Sequence, residues 1–262
     1  MDRIYLIPDR NNIEKSLKLA KEYHTHFEYN DFCMPAVLDN ENKIQELVSF
    51  YKGLVRDRSH DTLHGAFLDV TIHSSDSLIR KASEYRVRQC MDIADSLGIR
   101  GVVFHTNLIP NFRVDYYRKG WLDCNVKFWK QILEEYPRLS VFVENMFDEE
   151  TDSLLALAEQ MKEHERFGIC FDYAHAMVFG ENVENWVKDF APYIKHMHIN
   201  DNDLQDDLHQ SVGVGKIDWD YFTKLLKKEN VNSTVLIEIK NLEKQKESLE
   251  YMQQNNIYPL VL

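Results

Sequence analysis

Six residues of metal-binding type lie in or at the end of six short apolar runs: His64, His105, Glu144, Asp172, His198 and Glu238. Three more stand just behind them, His175 three residues after Asp172, and Asp207 and His209 shortly after His198. Imidazoles and carboxylates gathered in one place repel or protonate unless something neutralises them, and bound divalent cations do so economically. A mixed set of this kind suits zinc, manganese or iron better than calcium or magnesium. Each residue alone has a plainer reading, as a hydrogen-bonded core histidine or as a carboxylate paired with a neighbour such as Lys240. Taken together, that reading needs a buried ionisable group at the same end of six neighbouring strands, each with its own partner.

Whether these residues meet depends on the elements that carry them. Short apolar runs over residues 3–7, 25–29, 62–68, 101–105, 140–144, 168–172, 194–199 and 234–239 predict strands. Between them, helical spacing predicts helices over 12–23, 40–55, 75–97, 116–135, 151–164, 182–190, 218–229 and 242–254, the third stopped by Gly98. Eight strand-helix units in a chain of 262 residues have the size and count of an α/β fold of the closed (β/α)8 TIM barrel type, a single domain spanning 1–262. An open doubly wound sheet is the runner-up, and it predicts a glycine-rich turn after the first strand. The segment Ile7-Pro8-Asp9-Arg10-Asn11 has no glycine. Barrel enzymes build their sites at the carboxyl ends of the strands, where all nine residues fall.

Other residues at that rim are candidates for touching substrate. Glu28 lies near the end of the second strand, with a solvated loop carboxylate as the equal alternative. The loop after the fourth strand carries Asn107 and Arg113 and runs through Tyr116, Tyr117, Arg118 and Lys119 to Trp121. It has the chemistry to clamp a sugar ring or a phosphate, Arg113 through its two-pronged guanidinium; its plainer role is to cover the rim with aromatics. The segment Val212-Gly213-Val214-Gly215 is too short for a phosphate-binding fingerprint and reads as a tight turn before Asp218 caps a helix. His24, His26, His60, His73, His164 and His196 fall outside the pattern and read as structural or surface residues. The scattered Cys33, Cys90, Cys124 and Cys170 read as structural thiols.

Composition narrows the partners. With 31 Lys and Arg against 43 Asp and Glu, the net charge is −12, which disfavours a protein that coats a nucleic-acid duplex. No apolar run approaches the roughly 20 residues of a membrane span, and the opening residues carry no targeting signal, so a cytoplasmic protein without membrane partners is expected. A homodimer is an assembly that a barrel surface of this size allows.

The stretches Leu63-His64-Gly65-Ala66, Val103-Phe104-His105, Phe142-Val143-Glu144-Asn145, Phe171-Asp172-Tyr173-Ala174-His175 and His198-Ile199-Asn200-Asp201 resemble the xylose isomerase-like barrel superfamily over essentially the whole chain. Two carry-overs follow from the resemblance. In ketose epimerases, the positions of Glu144, Asp172, His198 and Glu238 hold one divalent metal, and the two glutamates move protons on a small sugar or sugar phosphate; His175 then binds substrate. In endonuclease IV, all nine positions hold three zinc ions for phosphodiester hydrolysis: His64 and His105 on one, Glu144 bridging, Asp172, His198 and Glu238 on a second, His175, Asp207 and His209 on a third. The resemblance thus implies one to three ions of zinc, manganese or iron. The first expectation is an isomerase or epimerase with Glu144, Glu238 and His175 as catalytic residues. The alternative is an abasic-site phosphodiesterase, and a third reading is a sugar-binding or accessory barrel without turnover, against which the Glu144 and Glu238 pair argues.

Overall fold

The computed structural model describes residues 2–260; Met1, Val261 and Leu262, the ends of the expected 1–262 domain, lie outside the described residues. Eight strands follow one another around a closed barrel in chain order: β1 (Ile4–Leu6), β2 (His26–Tyr29), β3 (Thr62–His64), β4 (Gly101–His105), β5 (Ser140–Glu144), β6 (Phe167–Asp172), β7 (Ile194–Ile199) and β8 (Thr234–Ile237). The strands are parallel, and helices stand between them: α1 (Ile13–Tyr23), α2 (Pro35–Leu38), α3 (Glu41–Lys52), α4 (Ser77–Leu97), α5 (Asp115–Glu135), α6 (Asp152–Met161), α7 (Tyr173–Phe179), α8 (Val183–Phe190), α9 (Trp219–Lys228) and α10 (Leu242–Asn255). This is the (β/α)8 TIM barrel that the alternation predicts. Among the described residues, no helix is long and apolar enough to cross a membrane.

The chain forms two compact units, one made of Tyr29–Glu144 and Asp152–Gly168, the other of the chain up to Glu28, Asn145–Thr151 and everything from Ile169 on. In the first, the strand cores Val102-Val103-Phe104 and Val141-Phe142-Val143 are wholly buried, as expected of parallel strands covered on both faces. β4 and β5 run in register from Gly101 against Ser140 to His105 against Glu144, so their terminal polar residues come out level. β3 stops at His64, four residues before the expected strand ends. The cause is Gly65, where a Cβ would lie 2.3 Å from the Phe104 ring; the chain presses against β4 there and peels away, and the Phe67 N–H turns to the Cys33 carbonyl at 3.0 Å. α4 starts on Asp76, whose Oδ1 accepts the Leu78 N–H at 2.8 Å, and ends on Gly98 at φ +67°, a conformation glycine adopts without a Cβ penalty.

In the second unit β8 pairs with both β1 and β7. β6 slips its register against β7 between Ile169 and Cys170, which brings Asp172 opposite His198. α7 follows β6 directly because Asp172 is also its cap: Oδ1 accepts the His175 N–H at 2.6 Å. β8 ends at Ile237, so Glu238 stands one residue beyond it, its N–H donating to the Ile199 carbonyl at 2.9 Å. The turn before α9 fits its expected role: Gly213 has φ +89°, a Cβ on Gly215 would meet the Asn202 carbonyl at 2.3 Å, and Asp218 caps α9 through the Tyr221 N–H at 2.9 Å. None of the four cysteines is in a disulfide, and Cys90 and Cys170 are fully buried; burial pushes the Cys90 thiol up to about 12, as suits a packing role.

Candidate metal centre

At the carboxyl end of the first unit, the donor atoms of His64, His105 and Glu144 all lie within 4.8 Å of one another, and all three residues are buried. The His64 Nδ1–H donates to the Gly65 carbonyl at 3.0 Å, which turns Nε2 toward Glu144. Glu144 Oε2 stands 3.8 Å from His64 Nε2 and 3.5 Å from His105 Nε2. These separations are long for hydrogen bonds and close to the spacing of about 3.3 Å that two ligands of one tetrahedral ion have when each bond is about 2.0 Å. The donor set therefore fits a divalent cation.

The second unit gathers Asp172, His198 and Glu238, whose donor atoms are likewise within 4.8 Å of one another. His198 Nδ1 lies 3.6 Å from Glu238 Oε2, again the spacing of co-ligands. Beside them His175 and His209 converge on one oxygen, Asp207 Oδ2, with Nε2 at 3.4 Å and 3.0 Å. In both rings Nδ1 is committed to a main-chain carbonyl, His175 to Asn145 at 3.0 Å and His209 to Glu238 at 2.6 Å. Nε2 is thus the nitrogen presented to Asp207, where either a proton or a metal ion can sit between them. Burial pushes Asp207 up, but the His175 and His209 imidazoles override it and hold the carboxyl below its ordinary range. Burial pulls His209 down, and the hydrogen bond to Asp207 and the Glu238 charge outweigh that, raising it to about 9.

A family model described as the xylose isomerase-like TIM barrel matches residues 17–255. The chain belongs to this family. An uncharacterised protein of Methanocaldococcus jannaschii is 30% identical over 190 residues, 69% of this chain and 70% of that protein. Apurinic-apyrimidinic endonuclease 1 of Plasmodium falciparum is 25% identical over 243 residues, 84% of this chain and 40% of its own length. The crystal structure of a D-tagatose 3-epimerase-like protein matches with a TM-score of 0.74 over 96% of both chains at 23% identity, a likeness of fold.

In this xylose isomerase-like barrel three of the sequence expectations need correction. Trp121 is 1% exposed and its indole N–H donates to the Thr106 carbonyl at 2.9 Å; it packs in the α5 core and is not open to substrate. Glu28 is fully buried and faces two imidazoles, His196 Nε2 at 3.2 Å and His198 Nε2 at 3.1 Å, so it braces the site and is no substrate contact. Burial pushes Glu28 up, but those two rings hold it well below the usual carboxylate range. His196 is no bystander: it lies two residues before His198, shares its strand face and is 0% exposed. Asn107 sits half-buried at φ +47° just past His105, and Arg113 is exposed on the same loop.

The sequence reading also passed over three supports. Asn145 carries Asp172, its Nδ2 donating to the Asp172 carbonyl at 2.8 Å and its Oδ1 accepting the Asp172 N–H at 2.9 Å. Asp201 binds the loop that holds Asp207 and His209 through a two-way main-chain pairing with Gln210, at 3.0 Å and 2.8 Å. Asn200, one residue past β7 as Glu238 is one past β8, is fully buried, and neither amide atom has a hydrogen-bond partner among the described residues. A buried amide in that state carries a cost that a polar ligand relieves.

Proposed function

We propose that this barrel is a multinuclear divalent-metal phosphodiesterase of the endonuclease IV type. The observation that carries the reading is that the ligand-type residues exceed what one metal needs. Glu144 Oε2 is faced by His64 and His105, and Asp207 Oδ2 by His175 and His209. A site for one ion has no use for two such clusters, each a carboxylate oxygen faced by two imidazoles. In the proposed site His64, His105 and Glu144 would hold one ion, Asp172, His198 and Glu238 a second, and His175, Asp207 and His209 a third. Zinc, manganese or iron matches the mixed donors. Bound there, such ions supply Lewis acidity, acidifying a water and drawing charge from phosphate oxygens. The name of the Plasmodium falciparum relative supports the same chemistry.

The chain's own residues do the rest. The carbonyls of Gly65, Asn145 and Glu238 fix which nitrogen of His64, His175 and His209 faces inward. A net charge of −12 gives the surface no general pull on a polyanion, so a phosphodiester is held by the ions and by Arg113, Arg118 and Lys119 after β4, the guanidinium forks gripping non-bridging oxygens. A second reading, sugar epimerisation, draws on the likeness of fold to the D-tagatose 3-epimerase-like protein and on Glu238, whose side chain keeps 12% exposure and can take up a proton. The two readings part in one experiment. Protein reloaded with zinc, manganese or iron is expected to nick a duplex at an abasic site, and a chelator to stop it. No nicking with any metal, together with Glu238-dependent exchange of a ketose carbon-bound proton with deuterated water, would favour epimerisation.

A further inference from the structure

For His64, His175 and His209 a main-chain carbonyl decides which ring nitrogen faces the ligands; His198 is held differently. Its Nε2 lies 3.1 Å from Glu28 Oε1, while Nδ1 looks the other way, 3.6 Å from Glu238 Oε2. The other Glu28 oxygen, Oε2, is 3.2 Å from His196 Nε2, and His196 Nδ1 is 2.6 Å from Thr234 Oγ1. Thr234 faces His196 across the β7–β8 ladder. Glu28, His196 and His198 are each 0% exposed, so the carboxylate is shielded from solvent where it faces the two rings. A carboxylate at one ring nitrogen requires the proton there, which leaves the opposite nitrogen as the one able to bind a cation.

We propose that Glu28, His196 and Thr234 form a buried side-chain relay of positioning residues that fixes the ring plane and the Nε2–H form of His198, and so sets the affinity and geometry of the ion held by Asp172, His198 and Glu238. The relay rests on the metal-centre reading above and adds to it a control that lies outside the ligand set. Loss of a partner of this kind costs about 10–100-fold in metal affinity. Glu28→Gln keeps the shape but removes the negative charge and turns an N–H donor toward one of the two rings, where an acceptor stood.

The test is a stepwise cobalt(II) titration of the metal-free full chain, following affinity and the visible absorption of the bound ion, with thermal unfolding of each apo protein alongside. In Glu28→Gln one binding step is expected to weaken by about 10–100-fold and its absorption band to shift. Thr234→Val, which removes only the far end of the relay, is expected to change the same step in the same direction by less, and carries the test if Glu28→Gln does not fold. A folded Glu28→Gln protein with wild-type affinity and spectrum overturns the relay while leaving the metal centre standing. A wild-type chain that takes up no cobalt overturns both. Loss of stability without any change in the cobalt spectrum would make Glu28 a packing residue and equally overturn the relay.

Discussion

Replacing Glu144 by alanine is expected to empty the centre and reduce phosphodiester cleavage by at least about a thousandfold. The size follows from position: losing a partner that merely orients a ligand costs about 10–100-fold, and Glu144 is proposed as the carboxylate ligand of the ion at His64 and His105. Its carboxylate is 1% exposed with two imidazoles on one oxygen, while the His64 and His105 rings already touch edge to face at 4.9 Å between centroids. Without the anion, a cation placed between those rings has no charge to meet, and desolvating it goes unrewarded. Metal content and kcat/KM measured on the same sample check this. A Glu144→Ala protein that keeps its full metal complement would contradict the role of Glu144 as a ligand.

Asp201→Ala is expected to cost about 3–5 kcal/mol of stability, lowering the melting temperature by roughly 10 °C or more for a chain of this size. Asp201 is wholly buried and its carboxylate accepts four N–H groups: those of Asn202 at 2.9 Å, Gly213 at 2.9 Å and Ile217 at 3.1 Å, and the Trp219 indole at 2.8 Å. Truncation strands these donors in a site that water does not reach, each costing about 1–3 kcal/mol before relaxation. The same bonds shape the loop from Leu204 to Gly213, where His209 sits at φ +46°, a strained backbone for a residue with a Cβ. The ion at His175, Asp207 and His209 is therefore expected to be the first lost. Calorimetry on the variant decides the point, and a melting temperature within two degrees of wild type, where about 10 °C is expected, would show that the carboxylate does not brace the loop.

Much of this architecture was legible because each strand is a short apolar block ended by one polar residue. Gly101–His105, Ser140–Glu144 and Ile194–Ile199 fall where the hydrophobic runs put them. What the runs do not encode is where a strand leaves its neighbour. The 62–68 run looks like one strand, yet the close approach at Gly65 ends it. α7 was hidden because Asp172 serves as ligand type and helix cap at once, and a helix of seven residues shows little periodicity. Two signals in the sequence were open to a better reading. His196 stands two residues from His198, and a strand repeats its faces every second residue. Trp121, Asn125, Phe128 and Ile132 recur at three to four residues, the stripe of a buried helix face. Glu28 could not have been placed, since its partners come from strands some 170 residues away and only tertiary structure brings them to it.

The central claim is that one chain holds more than one divalent ion. Elemental analysis of the purified protein, before and after chelation and beside an Asp207→Ala, His209→Ala double variant, tests it directly. Up to three ions per chain are expected in the wild type, all removed by the chelator, and one fewer in the variant. A single ion per chain, unchanged in the variant, would contradict a multinuclear centre.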